Sequence, residues 1–183
     1  VTRRLFFAVW PEPALRQQLE ALSAAAPPGW RPVPAADLHL TVLFLGTVPE
    51  DRLAPLCAAV GGVPRPAFDQ PLTRLESWSK GTLWCVAGDT VPALGALHRD
   101  LAALVAGLGL EPEDRAYRPH VTLARARRHA SAPPATAPGP LQLAARALVL
   151  AQSSDRGPGS RYRPVSRWAL GGASGVFPQM GKI

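Results

Sequence analysis

Asp37-Leu38-His39-Leu40-Thr41-Val42-Leu43-Phe44-Leu45-Gly46 is the stretch on which the fold reading turns. Leu38 to Leu45 is a short apolar run, interrupted by two polar residues two positions apart and closed by Gly46. That pattern predicts a strand. Residues i and i+2 of a strand share a face. His39 and Thr41 therefore stand side by side, and Leu40 and Val42 face the hydrophobic layer behind. The pattern recurs in His120-Val121-Thr122-Leu123, inside a strand predicted over 117–124. One His-x-Thr on a strand is most often an ordinary half-buried segment. Two copies in matching contexts, using two of only four histidines, point to a shared purpose.

Leu5 to Trp10 suits a buried strand. Pro11-Glu12-Pro13 opens a helix carrying Leu15, Leu19 and Leu22, ended by Pro27-Pro28-Gly29. A second helix starts at Pro49-Glu50-Asp51, with Leu53, Leu56, Cys57 and Val60 on one side and Gly61-Gly62 as its stop. Phe68 to Trp78 and Thr82 to Ala87 read as two strands around a turn at Ser79-Lys80-Gly81. Helical spacing of Leu94, Leu97, Leu101, Leu104, Val105 and Leu108 predicts a helix over 92–108. Ser131 to Pro140 is a proline-rich loop. Leu141 to Ala151 and Tyr162 to Leu170 are strands around a turn at Gly157-Pro158-Gly159. The tail after Leu170 stays unassigned. This order is α+β or α/β in broad terms, with no linker between independent domains.

The chain has 183 residues, enough for one domain, and 47% of them are hydrophobic. Basic residues outnumber acidic ones 20 to 13, for a net charge of +7, and Lys80 and Lys182 are the only lysines. An acidic partner, nucleic acid first, is one explanation. A genome rich in G and C is the other, since the 21 prolines and 16 glycines fit it equally. No apolar run approaches the roughly 18 to 20 residues of a membrane span. Pro11 and Glu12 end the first apolar run too early for a signal peptide. Cys57 and Cys85 sit in apolar stretches and read as buried free thiols in a reducing cytoplasm.

Two imidazoles facing each other suit general acid–base catalysis, because an ordinary pKa near 6.5 lets one be neutral and one charged near neutral pH. Phosphodiester cleavage needs a base for the nucleophile, an acid for the leaving oxygen, and donors for the phosphate oxygens. The sequence contains no His-Glu-x-x-His, no paired cysteines and no dense carboxylates, so neither metal nor cofactor is expected. It also lacks Gly-x-x-x-x-Gly-Lys, which argues against energy-driven ligation.

The chain resembles the RNA 2′,3′-cyclic phosphodiesterases, also called 2′–5′ RNA ligases, of the two-histidine (2H) phosphoesterase superfamily. The resemblance runs from Arg4-Leu5-Phe6-Phe7-Ala8-Val9 through Asp37-Leu38-His39-Leu40-Thr41-Val42-Leu43-Phe44-Leu45-Gly46. It resumes at Arg115-Ala116-Tyr117-Arg118-Pro119-His120-Val121-Thr122-Leu123-Ala124-Arg125 and ends with Arg161-Tyr162-Arg163-Pro164-Val165 and Trp168-Ala169-Leu170. It implies a single bilobal α+β domain over 1–183, with two antiparallel sheets forming a V-shaped cleft and helices outside. It implies opening of RNA 2′,3′-cyclic phosphate ends to 2′-phosphomonoesters, with a 2′–5′ ligase activity as the reverse-type reaction. The implied partner is RNA with a cyclic phosphate end, tRNA halves among the candidates, with no membrane and a monomer expected.

On this reading neutral His120 activates water and protonated His39 donates to the departing 3′ oxygen, although the near-symmetric motifs allow the reverse. Thr41 and Thr122 donate to the phosphate oxygens. Arg125 neutralises the phosphate, but strict alternation puts it opposite His120, so this needs a bulge or the strand end. Phe44, a base-stacking candidate, has the same parity problem. Phe7 and Tyr117 are either stacking or core residues. Arg115 and Arg118 either track the RNA backbone or are screened surface charge. His98 reads as helix packing at the edge of an apolar stripe, and His129 as part of a basic, solvent-facing loop. Two other functions compete: a 2H phosphoesterase for small cyclic nucleotide phosphates or 2′–5′ oligoadenylate, and a non-catalytic RNA-binding module that would need neither imidazole.

Overall fold

The structure is a computed structural model and describes residues 1–112, 116–126, 133, 139–154 and 160–171. The expected loop from Ser131 to Pro140, the Gly157 turn, His129, Arg115 and most of the tail lie wholly or largely outside the described residues. In chain order the elements are β1 (Thr2–Val9), α1 (Pro13–Ala24), β2 (Trp30–Pro32), β3 (Leu40–Pro49), α2 (Leu53–Val60), β4 (Phe68–Leu72), β5 (Arg74–Trp78), β6 (Leu83–Ala87), α3 (Pro92–Gly107), β7 (His120–Ala126), β8 (Leu141–Ala145), β9 (Ala147–Ser153) and β10 (Tyr162–Ala169).

Eight strands form one antiparallel sheet in the order β10-β9-β1-β3-β7-β6-β5, with β2 also on β7. Its two halves meet at a single residue pair, Leu40 with Val121. Beyond that pair the same edge of β7 takes β2 instead, through Arg31 with Arg125 and its neighbours. The sheet therefore divides into two antiparallel lobes, each holding one His-x-Thr segment. β4 and β8 form a separate two-stranded sheet.

The core explains the arrangement. Leu5, Phe7 and Val9 point to one face of β1, and Leu40, Val42, Val121 and Leu123 continue that face. Leu15 and Leu19 of α1, Leu56 and Val60 of α2, and Leu94, Leu97, Leu101 and Val105 of α3 close over it in one cluster. All three helices thus cover the same face, as their apolar stripes require. The other face is left to a cleft.

Two expected strands are each two. Phe68–Trp78 breaks at Thr73, and Leu141–Ala151 breaks at Arg146, because β4 and β8 leave the main sheet to pair with each other. β2 is not predicted by the sequence, because three residues ending in proline carry no readable alternation. β3 does not stop at Gly46 but continues to Pro49. Gly46 has φ of +69°, a left-handed conformation that only glycine adopts without strain, and it follows a bulge at Leu45.

Candidate active site

His39 and Thr41 from one lobe, and His120 and Thr122 from the other, line a common cleft of about 1150 Å³. The Nδ1–H of His39 donates to the Asp37 carbonyl at 2.7 Å. The Nδ1–H of His120 donates to the Arg118 carbonyl at 2.8 Å. A carbonyl only accepts, so each contact fixes Nδ1 as the protonated nitrogen and leaves Nε2 as the nitrogen able to exchange a proton. Both rings are thus aimed by the backbone two residues upstream of themselves.

Arg125 and Phe44 also line the cleft, and two bulges put them there. Across β6 and β7, Trp84 pairs with Ala124 and Cys85 with Thr122, so Leu123 is an extra residue. Across β1 and β3, Phe7 pairs with Leu43 and Ala8 with Thr41, so Val42 is extra. Each bulge lies three residues after its histidine and reverses the alternation beyond it. Leu123–Ala124 and Val42–Leu43 are consequently buried in succession, and Arg125 and Phe44 turn to the same side as Thr122 and Thr41.

The surroundings of the two imidazoles differ. His39 lies in an aromatic box, 5.0 Å from the Trp10 ring, 5.1 Å from Phe6 and 4.8 Å from Tyr162. Burial in this box pushes its pKa down from 6.5 to about 4, against the upward pull of the Asp37 carbonyl; the His120 ring also lowers it. His120 meets the edge of Trp78 at 4.4 Å on the more open side. Asp37 is itself buried. Its carboxylate accepts from the Ser160 hydroxyl at 2.5 Å and the Arg161 backbone N–H at 3.0 Å, which ties the start of β10, with Tyr162, to the His39 turn.

Three expected contact residues are elsewhere. Phe7 is fully buried on the helix-covered face, beside Trp168; the neighbour of opposite parity, Phe6, faces the cleft instead. Tyr117 lies behind the site. Its hydroxyl donates to the Thr41 carbonyl at 3.0 Å, its ring stacks on His98 at 4.3 Å, and burial raises its pKa. His98 donates to the Val42 carbonyl at 2.8 Å, so the bulge in β3 is held from behind by two side chains. Arg118 is exposed and does not line the cleft; it pairs with Glu76 at 2.6 Å and covers the Trp78 ring at 4.4 Å. Burial alone would raise the Glu76 carboxyl, but hydrogen bonds from Trp78 and Arg74 and the Arg118 charge bring it below the usual range. Arg115 is outside the described residues.

Residues that the sequence did not single out complete the wall: Arg4, Arg31, Arg161, Trp78, Phe6 and Tyr162. Arg4 and Phe6 could have been found, since they alternate with buried Leu5 and Phe7. The others come from segments distant in sequence. Among the described residues four arginines face the cleft, and the one lining carboxylate, Asp37, is committed to Ser160 and Arg161. The result is a positive, partly aromatic groove with two aimed imidazoles. It can hold an anion and move protons on two sides of it. Among the described residues no cluster of three or more His, Cys, Asp or Glu could hold a metal ion.

Known proteins with this organisation were found by sequence and by fold. The family model described as the 2′-5′ RNA ligase superfamily matches residues 11–154. An RNA 2′,3′-cyclic phosphodiesterase of Escherichia coli is 31% identical over 92% of this chain and 97% of its own. One of Thermus thermophilus is 31% identical over 94% and 92%. The crystal structure of E. coli LigT complexed with 3′-AMP superposes with a TM-score of 0.80 at 30% identity, covering 93% of this chain and 99% of that one. A family match over most of the length, with relatives aligned nearly end to end, leads to one conclusion: the chain belongs to the 2′-5′ RNA ligase superfamily.

Proposed function

We propose that this chain is an RNA 2′,3′-cyclic phosphodiesterase. It opens a terminal 2′,3′-cyclic phosphate with water to a 2′-phosphomonoester. The observation that carries this reading is the pair of imidazoles, each aimed through Nδ1 by a backbone carbonyl, each with a threonine beside it, on two sides of one basic cleft. The family membership and the names of the two bacterial relatives agree with it.

In the reaction a water oxygen bonds to phosphorus and the phosphorus–O3′ bond breaks. One imidazole Nε2 takes the proton from water, and the other supplies one to O3′. Thr41 and Thr122 donate to the non-bridging oxygens, and Arg125 offsets their charge. Each proton transfer contributes roughly 10²- to 10⁴-fold. His120 is assigned as base and His39 as acid. With its pKa near 4, His39 is neutral at pH 7 in the empty cleft, so donation requires the phosphate anion to raise that value. The same observation favours the reverse assignment, in which neutral His39 is the base. A substrate with sulfur at the 3′ bridging position decides between them, because a thiolate leaves without a proton. It restores the variant lacking the acid and not the variant lacking the base.

Attack by the 5′ hydroxyl of a second RNA strand in place of water would give a 2′–5′ bond with the same groups. RNA ends such as tRNA halves are the proposed substrates, and a monomer is the proposed working form. No helix among the described residues is long and apolar enough to cross a membrane. Free Cys57 and Cys85 suit the cytoplasm proposed as its location; burial, and then the Glu76 carboxylate, push the Cys85 thiol up to about 12, so it is a packing group. The test is turnover of a cyclic-phosphate-ended oligonucleotide, with the product followed by phosphorus NMR. A 2′-phosphate is expected, lost in His39→Ala and His120→Ala with affinity for the product retained. A 3′-phosphate product, or full activity in either variant, refutes the proposal. An RNA-binding module without chemistry would be indifferent to both substitutions.

A further inference from the structure

β2 is short but firmly held. Trp30 is buried, the Val33 N–H donates to the Leu123 carbonyl at 2.8 Å, and the buried Ser23 hydroxyl of α1 reaches the carbonyls of Leu123 at 2.7 Å and Val33 at 3.0 Å. With Trp30 inward, alternation turns Arg31 outward, and it lines the cleft. Its register partner on β7 is Arg125. Directly opposed residues share a face, with Cα atoms about 4.5–5.5 Å apart, and like charges so placed repel.

Four arginines elsewhere in the fold have a carboxylate partner: Arg3 with Glu50, Arg74 with Asp89, Arg118 with Glu76, and Arg146 with Asp69. Among the described residues neither Arg31 nor Arg125 has a carboxylate partner. Their cleft neighbours Ser79 and Thr82 are neutral. Two cleft-lining arginines opposed in register, with no carboxylate partner among the described residues, form a site suited to an anion shared between them.

We propose that Arg31, together with Arg125, forms a second phosphate subsite beside the catalytic one. It holds the phosphate one nucleoside away from the cyclic phosphate, so the cleft reads an RNA end carrying a second phosphate rather than a bare mononucleoside. This inference rests on the cyclic phosphodiesterase reading for its first phosphate. Arg125 stands between the two positions, and Arg31 is the group specific to the second. The second phosphate can be an internucleotide diester or the 5′-phosphate of a mononucleotide.

Three substrates separate these cases: adenosine 2′,3′-cyclic phosphate, its 5′-phosphorylated form, and the dinucleotide ApA ending in a 2′,3′-cyclic phosphate. Arg31→Gln should lower kcat/KM on the dinucleotide roughly tenfold, the worth of one charged hydrogen-bonded contact. The loss on the bare cyclic mononucleotide should be clearly smaller. The salt dependence of dinucleotide affinity should weaken by about 0.7 in log–log slope, and Arg31→Lys should restore most of that slope. A parallel loss on the 5′-phosphorylated mononucleotide means any second phosphate is read, and no loss there means the diester is; either supports the subsite. Equal loss on all three substrates, or none on any, overturns it. If the wild type turns over none of them, the enzyme reading fails by itself. The subsite is then decided by equilibrium binding of ApA 2′-phosphate against adenosine 2′-phosphate to the wild type and Arg31→Gln. An advantage of the longer ligand that vanishes in the variant supports it, and one unchanged in the variant overturns it.

Discussion

The enclosure of His39 makes the fold sensitive to acid in a way that can be calculated. In the unfolded chain its imidazole takes up a proton near pH 6.5, and in the folded chain only near 4. Between these values the unfolded state binds more protons, so stability falls as the pH is lowered. The contribution of the neutral ring is fully present above 6.5 and is lost as the pH falls through 4. At 1.36 kcal/mol per pH unit the gap corresponds to about 3 kcal/mol. The ring has one edge toward the cleft, and solvent screening there brings the expected figure to about 2 kcal/mol.

The assay is urea unfolding of the wild type and His39→Gln at pH 7, 6, 5 and 4. Glutamine keeps a donor for the Asp37 carbonyl and does not titrate. Carboxylates elsewhere protonate in both proteins and cancel from the comparison. The wild type should lose about 2 kcal/mol more than the variant between pH 7 and pH 4. Inorganic phosphate, by placing a negative charge in the cleft, should shrink the difference. Parallel curves for the two proteins would refute the reasoning, because they would mean that Phe6, Trp10 and Tyr162 leave the ring hydrated.

The same property reaches catalysis: kcat/KM, which reports the free enzyme, should carry a limb near pH 4, and kcat should have that limb at higher pH. A common limb near 6.5 in both profiles contradicts this. Tyr117→Phe removes only the hydroxyl that holds the Thr41 carbonyl and should cost about 1–3 kcal/mol in urea unfolding. It should also lower kcat, with no further loss in a Thr41→Ala background; additive losses there would mean that Tyr117 does not act through Thr41. Gly88→Ala would place a Cβ 1.9 Å from the Pro71 carbonyl oxygen, a backbone atom that cannot yield cheaply. A loss of about 3 kcal/mol is expected, read from the urea midpoint.

Much of the fold was legible because its elements obey simple periods. Leu94, Leu97, Leu101 and Val105 are the buried stripe of α3, and Leu15 and Leu19 that of α1, as helical spacing requires. The apolar runs of β1, β3, β6 and β7 are buried on at least one face. What failed was the assumption that one apolar run is one strand. Thr73 and Arg146 break two runs because β4 and β8 pair across a sequence separation that no local pattern encodes. β2 is stabilised by its neighbours, through Ser23 and Leu123, and not by its own three residues.

For the site, the pairs His39/Thr41 and His120/Thr122 needed only alternation, and alternation holds across three residues. Beyond that it misleads. Counted strictly, Arg125 and Phe44 belong in the core layer, yet both face the cleft, because Leu123 and Val42 are each inserted without a partner. The doubled apolar residues Leu123-Ala124 and Val42-Leu43 are the sequence trace of these bulges. Two adjacent apolar residues in an otherwise alternating strand are either a buried strand or a bulge, and only the register distinguishes them. The two motifs are therefore alike in more than histidine and threonine. Each places an imidazole at or just before the start of a strand and a hydroxyl two residues on, slips by one residue, and then presents a further side chain to the same side. One lobe uses this slip to deliver a guanidinium, and the other an aromatic ring. That difference makes the near-symmetric lobes chemically unequal: one presents the Arg125 guanidinium, and the other presents a ring that already carries the Arg4 guanidinium 5.0 Å from its centroid.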